Sequence, residues 1–156
     1  MKLLGCHIDN FGAFRNFDLT FNDGLNVIMQ ANGWGKTTLS AFVKAMLYGF
    51  EGKRVRNVAE NERLRYRPWQ GGKYGGSLDF EARGREYRVI RTFGATAAKD
   101  DCKVVDIETG NRPRARRAKT AENGCSAWTQ TLSRRASSWS RTGSVSTGRL
   151  QGCATG

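Results

Sequence analysis

The first twenty-one residues alternate apolar and polar positions in two short runs. KLLGCHID (2–9) and RNFDLTF (15–21) flank NFGAF, so the pattern predicts a strand, a glycine-bearing turn and a second strand with Phe17, Leu19 and Phe21 on one face. NDG (22–24) is a turn signal. LNVIM (25–29) is a brief unbroken apolar run, the form a central strand takes when both its faces are buried. From Lys36 to about Tyr48 the period changes. Leu39, Phe42, Val43, Met46 and Leu47 recur at intervals of three and four and lay an apolar stripe along a helix. The charged stretch 51–76 reads as a surface loop. SLDFEA (77–82) and EYRVIRTF (86–93), on either side of RGR, predict a hairpin, and CKVVDIE (102–108) adds a further strand before TGN.

After Asn111 the periodicity ends. The rest of the chain is rich in Arg, Ser, Thr and Gly and poor in Leu, Ile and Val, a composition that cannot build a core and reads as disordered. A chain of 156 residues is sized for one ordinary domain. The expected organisation is therefore a folded unit over 1–110 and a basic tail over 111–156.

Charge sharpens that division. The formal net charge is +12, which on its own suggests a polyanionic partner. Yet residues 1–110 hold 17 Lys+Arg against 13 Asp+Glu, while 111–156 hold 9 against 1, so most of the excess lies in the tail. The four cysteines, Cys6, Cys102, Cys125 and Cys153, have neither Cys-x-x-Cys nor Cys/His spacing, which indicates no zinc site and no disulfide framework and fits a reducing compartment. Asp9 and Arg15 interrupt the N-terminus before a signal-peptide core could form, and no apolar run approaches the ~20 residues of a membrane span, so the expected location is cytoplasmic.

The candidate chemistry sits between the apolar run and the helix. QANGWGKTT (30–38) ends like a G-x-x-x-x-G-K-[ST] loop, with Gln30 where that pattern has its first glycine. A helix N-terminus presents unpaired N–H groups and a partial positive charge. Gly33 and Gly35 let phosphates approach that backbone, Lys36 would neutralise their charge, and Thr37 would take a place in a Mg2+ shell. The bland alternative is a strand-to-helix turn with a chance Gly-Lys-Thr, but strand, glycines, Lys-Thr pair and amphipathic helix occur in the required order. Gln30 weakens the pattern more than the physics, because the first glycine supplies no charge. Trp34 has two open readings: an exposed indole lying over nucleotide or partner, or a tolerated side chain. Arg63, Arg65 and Arg67, with Tyr66 and Trp69, could touch DNA phosphates or bases; the plainer reading is a solvated loop with Trp69 and Tyr74 packed back on the sheet. His7, alone on an apolar strand, reads as a core or edge residue.

With NGWGKTT behind an NFG strand pair, and NERLRYRPWQGGKYGGSLDFEARGREYRVIRTFG after it, residues 1 to about 110 resemble the N-terminal half of the SMC/SbcC/RecN-type ATPases, closest to their YhaN-like bacterial branch. The resemblance implies an α/β fold of P-loop NTPase type: the N-terminal lobe of an ABC/SMC-type head, with a mixed sheet and one P-loop helix. It implies ATP and Mg2+ as cofactors, held by Asn32, Gly33, Trp34, Gly35, Lys36, Thr37 and Thr38, with Thr37 on the metal. It also implies a chromosome-maintenance or double-strand-break-repair role near the nucleoid, DNA as a partner of the full assembly, a C-terminal ATPase half, and a second head for dimerisation. Asn10, Phe11 and Gly12 align with a turn that lies near the base in relatives.

Relatives continue with a G-E-x-L-F-G-[ILV]-D-x-x-S-F motif that this chain lacks in its own frame. ENGCSAWTQTLS (122–133), written in permitted codons and read one base earlier, gives Gly-Glu-Arg-Leu-Phe-Gly-Val-Asp-Ala-Asp-Ser-Phe. The tail is therefore expected to be an out-of-frame translation beginning between about Thr109 and Thr120. Phosphoryl transfer needs an acidic Walker B residue and a positioned water as well as a phosphate cradle. No such group can be assigned in 111–156, so the expectation is an ATP-binding fragment incomplete for hydrolysis alone. The alternative is a non-enzymatic basic DNA-binding module. A complete small P-loop kinase is disfavoured, since no later strand ends in an acidic pair.

Overall fold

A computed structural model describes residues 1–50, 61–69 and 71–111. Of the expected tail, 111–156, all but Asn111 lies outside the described residues.

The alternating runs form five strands: β1 (Lys2–Phe11), β2 (Phe14–Thr20), β3 (Gly75–Ala82), β4 (Arg85–Thr92) and β5 (Asp101–Asp106). They make one sheet in the order β2-β1-β3-β4-β5, with every neighbouring pair antiparallel. Because side chains alternate across a strand, the register sorts the two faces. One row runs Leu19, Cys6, Leu78, Val89 and Val104, and a second includes Ile8 and Arg91; these line the inner face. The opposite face is polar. There Arg88 clasps Asp79 through two hydrogen bonds of 2.6 Å, and His7 Nδ1 lies 2.7 Å from Asp18 Oδ1. His7 is thus neither core nor edge; it sits on the solvent face of an internal strand.

The predicted helix forms as α1 (Lys36–Tyr48) and buries Leu39, Phe42, Ala45, Met46 and Leu47, while Val43 lies at the margin of the stripe. Its C-terminus closes on Gly49, whose N–H donates to Ala45 O at 2.8 Å. The core converges on Phe11, fully buried at the end of β1. Its ring meets Phe42 edge-on at 5.3 Å, stacks on Tyr66 at 5.2 Å, and touches Phe50, Tyr74 and Phe93 at 5.6–6.1 Å. Burying a ring of that size stabilises by about 2–3 kcal/mol, and each well-placed aromatic pair adds about 1 kcal/mol.

Three expectations need correction. LNVIM does not form a buried strand: Leu25, Val27 and Met29 are 88%, 69% and 86% exposed. A strand needs a neighbour for its N–H and C=O groups, and among the described residues none lies beside it. The sheet is accordingly antiparallel throughout rather than mixed. The stretch before β3 is not all loop, since α2 (Glu62–Arg65) forms there, with the Asn61 side chain accepting from Leu64 N–H at its start. The NDG turn is realised as a loop fastened by Asn26, which accepts from Asn22 N–H and donates to Asn22 O and Gly24 O. Cys6 is a free, buried thiol.

Candidate functional site

The Gly-Lys-Thr loop (residues 30–38) leads directly into α1. Gly35 is the N-cap residue, with φ +114°, a left-handed conformation that side chains rarely adopt. Among the described residues no side chain caps this end of the helix, and its first turn holds no acidic residue, so no described carboxylate competes for the N–H groups there. Thr37 is exposed, as are Asn32 and Gly33, and a Cβ on Gly33 would meet nothing within 4 Å. Space and donors are therefore both present for an anion.

The Lys36 ammonium folds back over the loop. Its Nζ donates to Gln30 O at 2.7 Å and to Ala31 O at 3.2 Å, joining the loop's first residues to the helix start. The Gln30 carbonyl thus supports the lysine whatever the side chain at that position.

Trp34 turns inward. Its ring packs edge-on against Phe14 at 5.2 Å and Phe17 at 5.7 Å, which favours the packed reading of this residue over an indole held out to solvent. Thr38 faces the β1–β2 turn, where a Cβ on Gly12 would come within 2.7 Å of Thr38 Cγ2. Gly12 also donates its N–H to Tyr66 O at 2.8 Å. The turn, the helix start and the segment after α2 therefore meet at one place. Gly12 and Tyr66 were noted in the sequence for other reasons, whereas Phe14 was missed; the aromatic spacing of NFGAFRNF was the available signal for it.

The three arginines separate. Arg63 is drawn into the fold: Nη1 and Nη2 bind Asp100 Oδ1 and Oδ2 at 2.6 and 2.7 Å, Nη1 also donates to Gly94 O, and the guanidinium lies 5.0 Å from the Phe50 ring centroid. Its side chain is 11% exposed and is engaged within the fold. Arg65 is exposed and lies over the Tyr66 ring. Arg67 is exposed at the rim of a cavity of about 230 Å³ whose lining includes Lys73, Tyr74 and Phe93. Tyr74 packs back as the plainer reading had it, but Trp69 stays 87% exposed. Burial pushes the Tyr74 hydroxyl's pKa upward and lowers that of Arg91, on the inner face, to about 10.

Among the described residues no cluster of three or more His, Cys, Asp or Glu could hold a metal ion.

A family profile described as an AAA domain matches residues 6–142, continuing past Asn111 into the basic tail. The chain belongs to the AAA domain family. Within it, the chain is 34% identical over 92 residues to the uncharacterized protein YhaN of Bacillus subtilis, covering 58% of this chain and 8% of that protein. It is 32% identical over 94 residues to the DNA double-strand break repair Rad50 ATPase of Methanosarcina acetivorans, covering 60% of this chain and 8% of that one. The Rad50 ATPase of Sulfolobus acidocaldarius matches at 29% over 90 residues, 58% of this chain and 10% of its own. The kinship with SMC/SbcC/RecN-type ATPases is borne out, and this AAA chain is an α/β member whose described sheet is antiparallel. It spans less than a tenth of the length of YhaN and of the Methanosarcina relative. None of the described helices is long and apolar enough to cross a membrane.

Proposed function

We propose that residues 30–38 bind the phosphates of Mg-ATP as the Walker A loop of an SMC/SbcC-like head, with this chain supplying the N-terminal lobe. The observation that carries the reading is an uncapped helix start preceded by Gly33 and Gly35, with the Lys36 ammonium beside it. Asn32, Gly33, Gly35, Lys36 and Thr38 offer backbone donors, Lys36 adds charge, and Thr37 offers its hydroxyl to Mg2+. Trp34 contributes by packing rather than by contact with the nucleotide. Hydrolysis further requires an acidic group and a positioned water, and no residue here is assigned either role.

The exposed run Leu25–Met29 fits this reading. An apolar segment directly before the loop, unpaired in the described chain, would complete a sheet once the C-terminal part of a head arrives. The similarity to Rad50-type repair ATPases supports a reading in which the full assembly works on DNA, dimerises through its heads and sits at the nucleoid. The tail's +8 carries no weight in this reading, which takes the tail as an out-of-frame product even though the family match runs to residue 142; sequencing the DNA for codons 122–133 tests that, because an in-frame origin shows no G-E-R-L-F-G-V-D motif one base earlier.

Fluorescent Mg-ATP analogue binding, measured by anisotropy on the full chain and on Lys36→Ala, tests the proposal. Binding lost in the variant with thermal stability retained supports it; equal binding in both refutes it. A second reading, a basic DNA-binding module, is favoured by the exposed Arg65, Arg67 and Trp69 on one loop. It predicts salt-sensitive DNA affinity that Lys36→Ala leaves unchanged and that Arg65→Ala with Arg67→Ala removes.

A further inference from the structure

Among the described residues the aromatic rings fall into separate groups. One gathers on Phe11 and holds α1 to the sheet. Another consists of Phe14, Phe17 and Trp34: Phe14 and Phe17 lie 4.6 Å apart, and both take the edge of Trp34. This second cluster ties the Gly-Lys-Thr loop to the edge strand β2.

The contact extends to the loop backbone itself. A Cβ built on Gly35 would come within 2.8 Å of Phe14 Cζ and 3.1 Å of Cε2, so the tip of the Phe14 ring lies against the residue that starts α1. Phe14 is 8% exposed although it begins an edge strand. On the far side of Lys36 and Thr37, Thr38 rests against Gly12 of the same hairpin. The two residues whose side chains would meet phosphate and Mg2+ are thus exposed between two anchor points, Trp34–Gly35 and Thr38, both seated on the β1–β2 hairpin. Upstream, residues 21–33 have no regular secondary structure and the run from Asn22 to Gly33 is exposed throughout. The hairpin therefore supplies the rigid support of the cradle, and Phe14 is the side chain through which it acts.

We infer that Phe14, backed by Phe17, is a positioning residue for nucleotide: it holds Trp34 and Gly35 so that the helix N–H groups and Lys36 are arranged before phosphate arrives. This rests on the nucleotide-binding reading above. The physical reason is preorganisation, since a loop already held in its bound shape loses less conformational freedom on binding. Phe14 contacts Trp34 and the Gly35 backbone, and its effect passes through them.

The test measures Mg-ATP analogue affinity on the full chain at a temperature well below each variant's unfolding midpoint. Phe14→Leu removes the ring tip from Gly35 and is expected to weaken affinity about tenfold. Phe14→Tyr adds an oxygen at Cζ, directed at Gly35, and should weaken it comparably while the ring stays in place; it carries the test if Phe14→Leu fails to fold. Val89→Ala, a core change away from the loop, sets the effect of lost stability alone and should leave affinity within about twofold. Because Phe14 acts partly through Trp34 and partly on Gly35 directly, its substitution should cost less in a Trp34→Leu background than in the wild-type chain. Wild-type affinity in both Phe14 variants, or a loss matched by Val89→Ala, overturns the inference while leaving Lys36-dependent binding intact. Binding indifferent to Lys36→Ala overturns the nucleotide reading, and this inference with it.

Discussion

The guanidinium of Arg63 and the carboxylate of Asp100 meet through two parallel hydrogen bonds, 37 positions apart in the chain, and pin the segment after α1 to the turn that precedes β5. Asp100 Oδ1 also accepts from Gly94 N–H at 2.8 Å, so one carboxylate organises both a side chain and a backbone turn. With the side chains 11% and 17% exposed, removing one partner strands the other charge in a poor solvent. Asp100→Ala should lower unfolding stability by about 3 kcal/mol in urea denaturation. A loss below about 1 kcal/mol would place the pair with weak surface ion pairs instead.

Gly12 occupies a left-handed conformation, φ +55°, with Thr38 and Tyr66 closing around it. Gly12→Ala asks for a Cβ where Thr38 Cγ2 would lie at 2.7 Å, and it adds a backbone cost of about 1 kcal/mol. The expected loss of stability is about 2 kcal/mol in all. Thermal denaturation with an unchanged midpoint would show that the turn relaxes freely.

Burial, reinforced by the Asp18 and Asp79 carboxylates, pushes the Cys6 thiol up to about 11. The folded chain then keeps a proton that the unfolded chain, with an ordinary thiol near 8.5, gives up. Protons bound in the native state exceed those in the unfolded state over that window. The stabilising contribution is therefore complete below about pH 8.5 and is lost as pH rises toward the folded value. Between about pH 8 and 11, wild type should lose about 2–3 kcal/mol more than Cys6→Ala, whose packing defect does not vary with pH. Parallel stability curves for the two proteins would contradict the assignment.

Leu25, Val27 and Met29 stand out from the surface in an alternating run with no strand beside it among the described residues. Exposed apolar strands invite edge-to-edge association. Val27→Lys combined with Met29→Lys should reduce light scattering of concentrated solutions while changing stability by no more than about 0.5 kcal/mol. A large drop in stability would mean that the run is already packed.

The strands and α1 were legible in the chain because their determinants are local. Alternation places Cys6, Ile8, Leu78 and Val89 on one face wherever the sheet happens to lie, and the three-and-four spacing does the same for Leu39, Phe42 and Met46. The order of strand-like run, glycines, Lys36 and helix was equally visible, since a helix start carries its anion-binding character within a few residues. What the chain alone did not decide is which neighbours arrive. The run 25–29 has strand composition, yet hydrogen bonding requires a second strand, and β2 pairs with β1 instead. Arg63, Arg65 and Arg67 look alike in sequence, and only the approach of Asp100 turns the first inward. Trp34 had two open roles until Phe14 and Phe17 came beside it. Local periodicity determines which face of an element is apolar; tertiary structure decides what each face meets, because that depends on residues tens of positions away and on the free energy of bringing them together.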